Sequence, residues 1–410
     1  MEQPHDYDER KPLRVTSNTP KLLLSSTVTS SQPLLVLPDE LLTEILTRLP
    51  ARLLLRLRSV CRSWRTLISS SQFANYHIQR SIAADPSLSG PRVAFHHSFE
   101  FNCITFGDFS LQSLVENPSE PTEVVLFEER PRCHEINSSC NGLLCMHGGA
   151  HSLNNSVMLW NPYTGLTSQS LKIRGFIWNS GFGYDHVNDK YKLVAVVKQM
   201  RERKPQTRIY TFCGNPSMRT IQDMPCGVVG DETGVFVPGT ATLNWVCQHM
   251  EYLVISLDLV KETFSEFSLS LKDPDNKTFD FPQLCVLRNC LAACVSHDEK
   301  THWSVWLMEE YGVPQSWTKF ASISCHPSLS GHHLRPLYIW ENYVLMAAAA
   351  DSKIVLYNLD HDGFEFPVLE HTPPSNKLGL YFFCIYHESL VSPPYRSLPS
   401  TSSQIQLIKP

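Results

Sequence analysis

LPDELLTEILTRLPARLLLRLRSVCRSWRTLI, from Leu37 to Ile68, spells three short amphipathic helices, none long enough to bury its own apolar face. The first starts after Pro38, with Asp39 and Glu40 in its opening turn, where negative charge meets the positive end of the helix dipole. Leu41, Leu42, Ile45, Leu46 and Leu49 then recur at helical spacing, and Pro50 ends the run. The second helix, Arg52 to Arg58, carries Leu53, Leu54, Leu55 and Leu57, too many leucines for one narrow buried stripe. Some of them need a surface outside the helices. The third aligns Val60, Trp64, Leu67 and Ile68 on one face and stops at Ser69, Ser70 and Ser71. Such a segment anticipates a partner.

LPDELLTEILTRLP, then RLRSVCRSW, then LISSSQF resembles the F-box, especially its plant form, over about 45 residues from Leu34 to Ile78. Two positions depart from the usual plant pattern. Leu53 stands where a small polar residue commonly begins the second helix, so a cap worth ~1 kcal/mol is missing there. Leu57 replaces a common Phe, a mild change of volume. The resemblance implies docking on a Skp-family adaptor, and through it membership of a cullin-RING (SCF-type) ubiquitin ligase. Carried over residue by residue, the contacts come from Leu37, Pro38, Leu41, Leu42, Ile45, Leu46, Pro50, Leu54, Leu55, Val60, Trp64 and Leu67. The competing reading is a small helical subdomain whose leucines pack on the rest of the chain. From Leu34 to Arg80 there are seven Arg against three acidic residues, in a chain of net charge -5. Those arginines suit either an acidic partner surface or a solvated helix face.

At 410 residues and 42% apolar content, the chain is long enough for a sizeable folded core. No run approaches the ~20 apolar residues that span a bilayer, and the charged start MEQPHDYDERKPLR lacks the apolar centre of a secretory signal. These features predict a soluble protein, cytoplasmic and/or nuclear, with no membrane partner. Thirteen irregularly spaced Cys read as reduced core thiols rather than a disulfide framework. Residues 1–33 and 392–410 are rich in Pro, Ser and Thr and predict disordered tails.

Beyond residue 80 the texture changes to short Val, Ile, Leu, Phe, Trp and Tyr runs with turn residues every ten or so positions. RVAFHH at Arg92, CNGLLCM at Asn141, KYKLVAV at Lys190, TLNWVC at Thr242, NCLAACV at Asn289 and NYVLMAA at Asn342 fall about 50 residues apart. Each of the last five is followed by a second strand of one kind: VMLWNP, RIYTFCG, LVISLDL, WSVWLME and KIVLYNL. A repeat of that length, holding several antiparallel strands, is the expectation for a β-propeller blade, since one four-stranded sheet cannot cover both its faces alone. Six starts predict six blades. The late strand KLGLYFFCIYH, Lys377 to His387, is placed to pair with the first blade and remove free edges. An irregular β-sandwich with coincidental spacing is the alternative.

SCNGLLCM, VMLWNPYTG, GFGYDHVNDKYKLV and VFVPGTATLNWVC look like the F-box-associated domain, often likened to kelch repeats, across most of residues 90–390. The paired glycines of strict kelch repeats are mostly missing. The fold class expected is therefore α+β: a three-helix F-box over residues 34–80, then an all-β, six-bladed propeller-like (kelch-like) ring. Asn-Pro and Gly-containing pairs are read as tight turns, and the aromatics as packing between blades.

Catalytic equipment is not visible in the motifs. Cys285, Cys290, Cys294 and His297 are close in sequence but lack the paired spacing of a zinc site, so no metal or cofactor is predicted. His96-His97 and His332-His333 read as solvated loops. No nucleotide-binding, nucleophile-elbow or zincin pattern occurs, and an acidic chain without a basic stripe argues against nucleic acid. The loops Val197 to Gln206, Asp273 to Phe281 and Ser322 to Arg335 are candidates for contact with an unknown target protein. The leading expectation is a non-catalytic substrate receptor. A non-degradative F-box scaffold or recognition protein, and a propeller enzyme with a helical cap, are the other readings.

Overall fold

The β domain assembles as six antiparallel sheets, each completed by residues that the ~50-residue repeat brings into register. The structure is a computed structural model. It describes residues 38–84, 90–99, 103–127, 134–148, 153–213, 216–225, 233–248, 251–271, 282–297, 302–324, 326–329, 334–348, 353–370 and 379–394. The tails at 1–33 and beyond 394 lie outside these residues.

Four helices come first: α1 (Asp39–Leu46), α2 (Ala51–Leu57), α3 (Arg62–Ile68) and α4 (Ser71–Ala84). Blade 1 holds β1 (Pro91–Phe99), β2 (Cys103–Ser110), the short helix α5 (Leu111–Glu116) and β3 (Val125–Leu126). Blade 2 holds β4 (His134–Cys140), β5 (Leu143–Gly148), β6 (Asn154–Asn161), β7 (Leu166–Thr167) and β8 (Leu171–Arg174), the last pairing with β6. Blade 3 is β9 (Phe176–Asp185), β10 (Lys190–Lys198), β11 (Gln206–Phe212) and β12 (Ser217–Thr220). Blade 4 is β13 (Val235–Val237), β14 (Thr242–Gln248), β15 (Tyr252–Asp258) and β16 (Thr263–Ser268). Blade 5 is β17 (Gln283–Leu287), β18 (Cys290–His297), β19 (His302–Met308) and β20 (Trp317–Ser324). Blade 6 is β21 (Leu334–Trp340), β22 (Tyr343–Ala348), β23 (Lys353–Asn358) and β24 (Gly363–Glu365). The six repeat starts seen in the sequence are the second strands, β1, β5, β10, β14, β18 and β22.

The final strand, β25 (Gly379–His387), is the innermost strand of blade 1, pairing with β1 from Pro91↔His387 to Phe99↔Gly379. The ring thus closes by joining its first and last segments, which removes two sheet edges. Arg92 on β1 donates to Asp108 on β2 at 2.5 and 3.0 Å, and the Tyr386 hydroxyl of β25 donates to the same carboxylate. One buried Asp therefore ties three strands of the closing blade. Past β25 the chain is held by Asn161, whose Nδ2 donates to the carbonyls of Ser389 (2.9 Å) and Val391 (2.8 Å).

Turn chemistry is repeated. Asn161 Oδ1 accepts from the backbone N–H groups of Tyr163 and Thr164, and Asp258 and Asn358 do the same for the residues two and three beyond them. These are the turns between third and fourth strands in blades 2, 4 and 6. The two-residue β4–β5 connection is Asn141-Gly142, both with positive φ, as a primed hairpin turn requires. A side chain at Gly142 would meet the His387 carbonyl at 2.6 Å, so the returning chain end needs that glycine. Gly181 and Gly183 do something else. They lie inside β9, where added Cβ atoms would meet Trp245 at 2.9 Å and Phe236 at 2.4 Å. The turn role expected from the sequence is corrected here: these glycines admit the aromatic side chains of blade 4.

The core consists of layers between adjacent blades. Val93, Phe95, Phe109 and Phe383 meet Leu345 and Leu356 between blades 1 and 6, and Cys294, Trp303 and Val305 meet Val344, Met346 and Val355 between blades 5 and 6. Val194 and Ile209 meet Leu243, Trp245 and Leu257 between blades 3 and 4. Across the last interface Lys192, 3% exposed, donates to Glu262 (2.8 Å) and the Leu259 carbonyl (2.5 Å) and pairs with Asp185 (2.8 Å). Burial alone would raise the Asp185 pKa, but hydrogen bonds from Lys192 and Asn188 hold it below the usual carboxylate range. Cys247, also buried, is disulfide-bonded, against the expectation of reduced thiols throughout. Irregular spacing along the chain does not report which cysteines a closed ring brings together.

His96 and His97 are buried in β1 rather than sitting on a solvated loop. A strand inside a propeller blade is covered on both faces, so neighbouring residues can both be interior. His96 Nδ1 accepts from the Ile136 N–H at 3.1 Å, and its ring stacks on Phe382 at 5.4 Å. Burial, with a smaller contribution from His97, lowers its pKa to about 4.

Two outcomes follow. Lys192→Met leaves the buried Asp185 without its cation, while Glu262 keeps Arg219, and is expected to cost about 3–5 kcal/mol, measured by urea denaturation. The unfolded chain protonates His96 near its ordinary 6.5, whereas the folded chain resists until about 4. Stability contributed by the neutral ring is therefore lost as pH falls through that window, by about 3 kcal/mol at pH 4. His96→Gln should flatten the dependence of the urea midpoint between those pH values.

Candidate functional site

The leucine surplus in the helical segment divides in the structure into a buried set and an exposed set. Leu46, Ala51, Leu54, Ile68, Phe73, Ala74 and Ile78 are buried. Leu41 (52%), Ile45 (49%), Leu53 (40%) and Val60 (61%) stay exposed. Leu41 and Ile45 stand one turn apart on α1, so their side chains project from one side of the helix.

Of the residues expected to contact an adaptor, Leu37 lies outside the described residues. Pro38, Leu41, Ile45, Pro50 and Val60 are exposed, and Leu42, Leu55, Trp64 and Leu67 are half-buried. Leu46 and Leu54 are corrected: at 1% and 0% exposure they cannot touch a partner and instead support the outer residues from within. Their places at the end of α1 and in the middle of α2 turn them inward. Leu53, a departure from the family pattern, joins the exposed set.

Local chemistry explains how the helices are held. α2 has no side-chain cap behind Pro50, as the sequence suggested, whereas α3 is capped by Cys61, whose sulfur accepts from the Trp64 N–H at 3.4 Å. Glu44 on α1 accepts from Arg48 one turn on and from Arg80 on α4, each at 2.7 Å. Those two hydrogen bonds, Arg80 first, pull the Glu44 pKa down to about 2. Arg52, Arg56, Arg62 and Arg65 remain on the solvent side.

The sequence reading stopped at Ser71 and missed α4. Its inward face is Phe73, Ala74, His77, Ile78 and Ser81, a helical spacing in which small or polar residues stand beside Phe73 and Ile78. His77 Nε2 lies 2.8 Å from the Leu49 carbonyl, and burial lowers its pKa, which favours the neutral ring. From the opposite side of α4, Asn75 Nδ2 donates to Tyr184 Oη and Asp189 Oδ1, both at 3.1 Å, in blade 3. Tyr184 Oη in turn donates to Asp189 at 2.6 Å. Asn75 thus fixes the helical segment to the first turn of blade 3.

In a meander of four antiparallel strands, the first–second and third–fourth connections share one face of the ring, and the remaining connections share the other. α4 meets the former. Among the loops expected to face a target, Val197 to Gln206 and the described residues of Ser322 to Arg335 belong to the opposite face, and Asp273 to Phe281 lies outside the described residues. The inner strands line an axial channel with Asn137, Phe182, Leu284 and Arg335 on its wall. Cys285, Cys290, Cys294 and His297 are spread over β17 and β18. Burial pushes the Cys285 thiol up to about 12, and His297 Nε2 contacts Ser304 at 3.0 Å. Among the described residues, no three His, Cys, Asp or Glu side chains are grouped to hold a metal ion.

Comparison with known proteins gives two family matches: the F-box domain over residues 34–76 and the F-box associated beta propeller domain over residues 101–393. An F-box/kelch-repeat protein of Arabidopsis thaliana is 30% identical over 388 residues, covering 87% of this chain and 96% of its own. A second Arabidopsis thaliana F-box protein is 26% identical over 342 residues, covering 75% and 77% respectively.

The buried and exposed leucines make opposite predictions. Leu54→Ala should cost about 2–5 kcal/mol by opening the helical core, while Leu53→Ala stays within about 0.5 kcal/mol, read from urea denaturation of the full chain.

Proposed function

Because the chain belongs to the family of F-box proteins that carry an F-box-associated β-propeller, we propose that it is the substrate receptor of an SCF-type ubiquitin ligase. In this reading α1–α3 dock on a Skp-family adaptor, and the propeller holds a target protein. The observation that carries it is the set of apolar side chains Leu41, Ile45, Leu53 and Val60, left exposed on helices whose other apolar residues are buried or half-buried. Exposed leucines and isoleucines at helical spacing are what a partner helix or groove covers. The exposed arginines around them favour an acidic adaptor surface.

The contribution to ubiquitin transfer is proximity rather than chemistry. A target held on the propeller and an adaptor held on the F-box share one chain, so transfer is governed by effective concentration. The hydrogen bonds of Asn75 to Tyr184 and Asp189 support a stiff connection between the two functions. A cytoplasmic or nuclear location belongs to the same proposal.

Adaptor capture tests it. Full-length protein should retain a Skp-family adaptor in a pull-down, and Leu41→Asp with Ile45→Asp should lower recovery at least about tenfold, with an unchanged melting temperature because both positions are exposed. Equal recovery by wild type and double variant would refute docking through α1.

A further inference from the structure

We infer that the rim of blades 2 and 3 facing away from α4 is a docking site for an acidic, aromatic-containing segment of the target protein. This inference rests on the proposed reading of the propeller as the target-binding half. Trp178 is 57% exposed, whereas the other seven tryptophans, all within the described residues, are buried or half-buried. Phe176, two residues before it on β9, is 41% exposed, and Trp178 is the unpaired extra residue where the β9–β10 register shifts. Met200, in the β10–β11 loop, is 79% exposed. An exposed patch of two aromatics and a methionine is costly to leave in water and suited to adaptable apolar contact.

These side chains are brought together by the backbone. Phe176 pairs with Lys198 at the start of the β9–β10 ladder. Gly175, at φ 118°, presses so closely on the Lys198 carbonyl that an added Cβ would lie 2.7 Å from it. Arg174 and Phe176 therefore stand directly against the start of the β10–β11 loop.

Cations predominate on β8 and across the β10–β11 connection. Lys172 and Arg174 from β8, Lys198 at the end of β10, and Arg201, Arg203 and Lys204 from the loop make six cations. The one carboxylate in those stretches, Glu202, is taken by Arg208 at 2.7 Å. Lys198 donates to the Arg203 carbonyl at 2.5 Å, which folds the loop on itself and holds its cationic segment in place. Among the described residues the side chains of Lys172, Arg174, Arg201, Arg203 and Lys204 make no ion pair. The whole chain carries -5, so a long polyanion is repelled beyond the patch, while a short acidic peptide feels chiefly the local cations within a Debye length of about 8–10 Å. That contrast favours a peptide over nucleic acid, and the aromatic pair calls for an apolar side chain within it.

Fluorescence anisotropy of the full-length protein tests the site. The probe is a short fluorescein-labelled peptide of Glu and Asp around a central Trp, set beside its Gln/Asn counterpart, single-stranded oligo-dT and phosphatidylserine vesicles. The acidic peptide should bind, the neutral one at least about tenfold more weakly, and salt should weaken the first. Arg201→Glu with Arg203→Glu and Lys204→Glu should abolish binding, and Trp178→Ala should lower it about fivefold, with melting temperatures unchanged because these side chains are exposed. Binding that survives the charge reversal, or oligo-dT or vesicles held as tightly as the peptide, would overturn the inference. The same preparations are scored for adaptor capture. Loss of peptide binding in an adaptor-competent wild type removes this site alone, and loss of adaptor capture with peptide binding intact removes the ligase reading alone.

Discussion

Closure of the ring by β25 on β1 is the constraint on which the other interfaces depend. Each blade buries its two faces only against its neighbours, so an open series of six would leave one face of blade 1 and one face of blade 6 in water. The nine-pair ladder between β1 and β25 makes the first blade from both ends of the domain. Asp108, gripped by Arg92 and Tyr386, pins that ladder, since both these hydrogen-bonding partners are supplied by strands of the closing sheet. Asn161 then secures the departing chain and completes its own turn with the other end of the same amide.

Closure also organises function. A rigid ring separates its two faces, and α4 occupies the face of short, Asx-capped turns. The opposite face carries the longer connections, which can vary without disturbing the interblade layers. Such an arrangement keeps the face beside α4 and the face of the longer connections from competing for one surface. Asn75, Tyr184 and Asp189 are few contacts, yet they join a helix to the first turn of a blade rather than to a loose loop.

Much of this was legible because second strands are buried on both sides and read as unbroken apolar runs: Leu143 to Met146, Leu193 to Val197, Leu291 to Val295. Fourth strands such as β7, β12 and β24, short and half-exposed or exposed, left no comparable signal. Turn residues were legible where the chain bends sharply, as at Asn141-Gly142. They misled at Gly181 and Gly183, where the demand for glycine comes from Trp245 and Phe236, more than fifty residues away. Helix α4 was missed because its buried face uses Ala74, His77 and Ser81, residues whose burial is decided by what covers them.

The sequence by itself determined the ~50-residue repeat with its six starts and the existence of a helical segment with more leucines than it can bury. Periodicity, turn chemistry and repeat length are relations between neighbours in the chain, and these suffice. Only the tertiary structure decided which leucines face outward, so that Leu41 and Ile45 are available while Leu46 and Leu54 are not. It alone gathered Trp178, Arg174 and the cationic β10–β11 loop on one rim. Exposure and juxtaposition depend on residues distant in sequence that arrive across an interface, and no local pattern encodes their arrival.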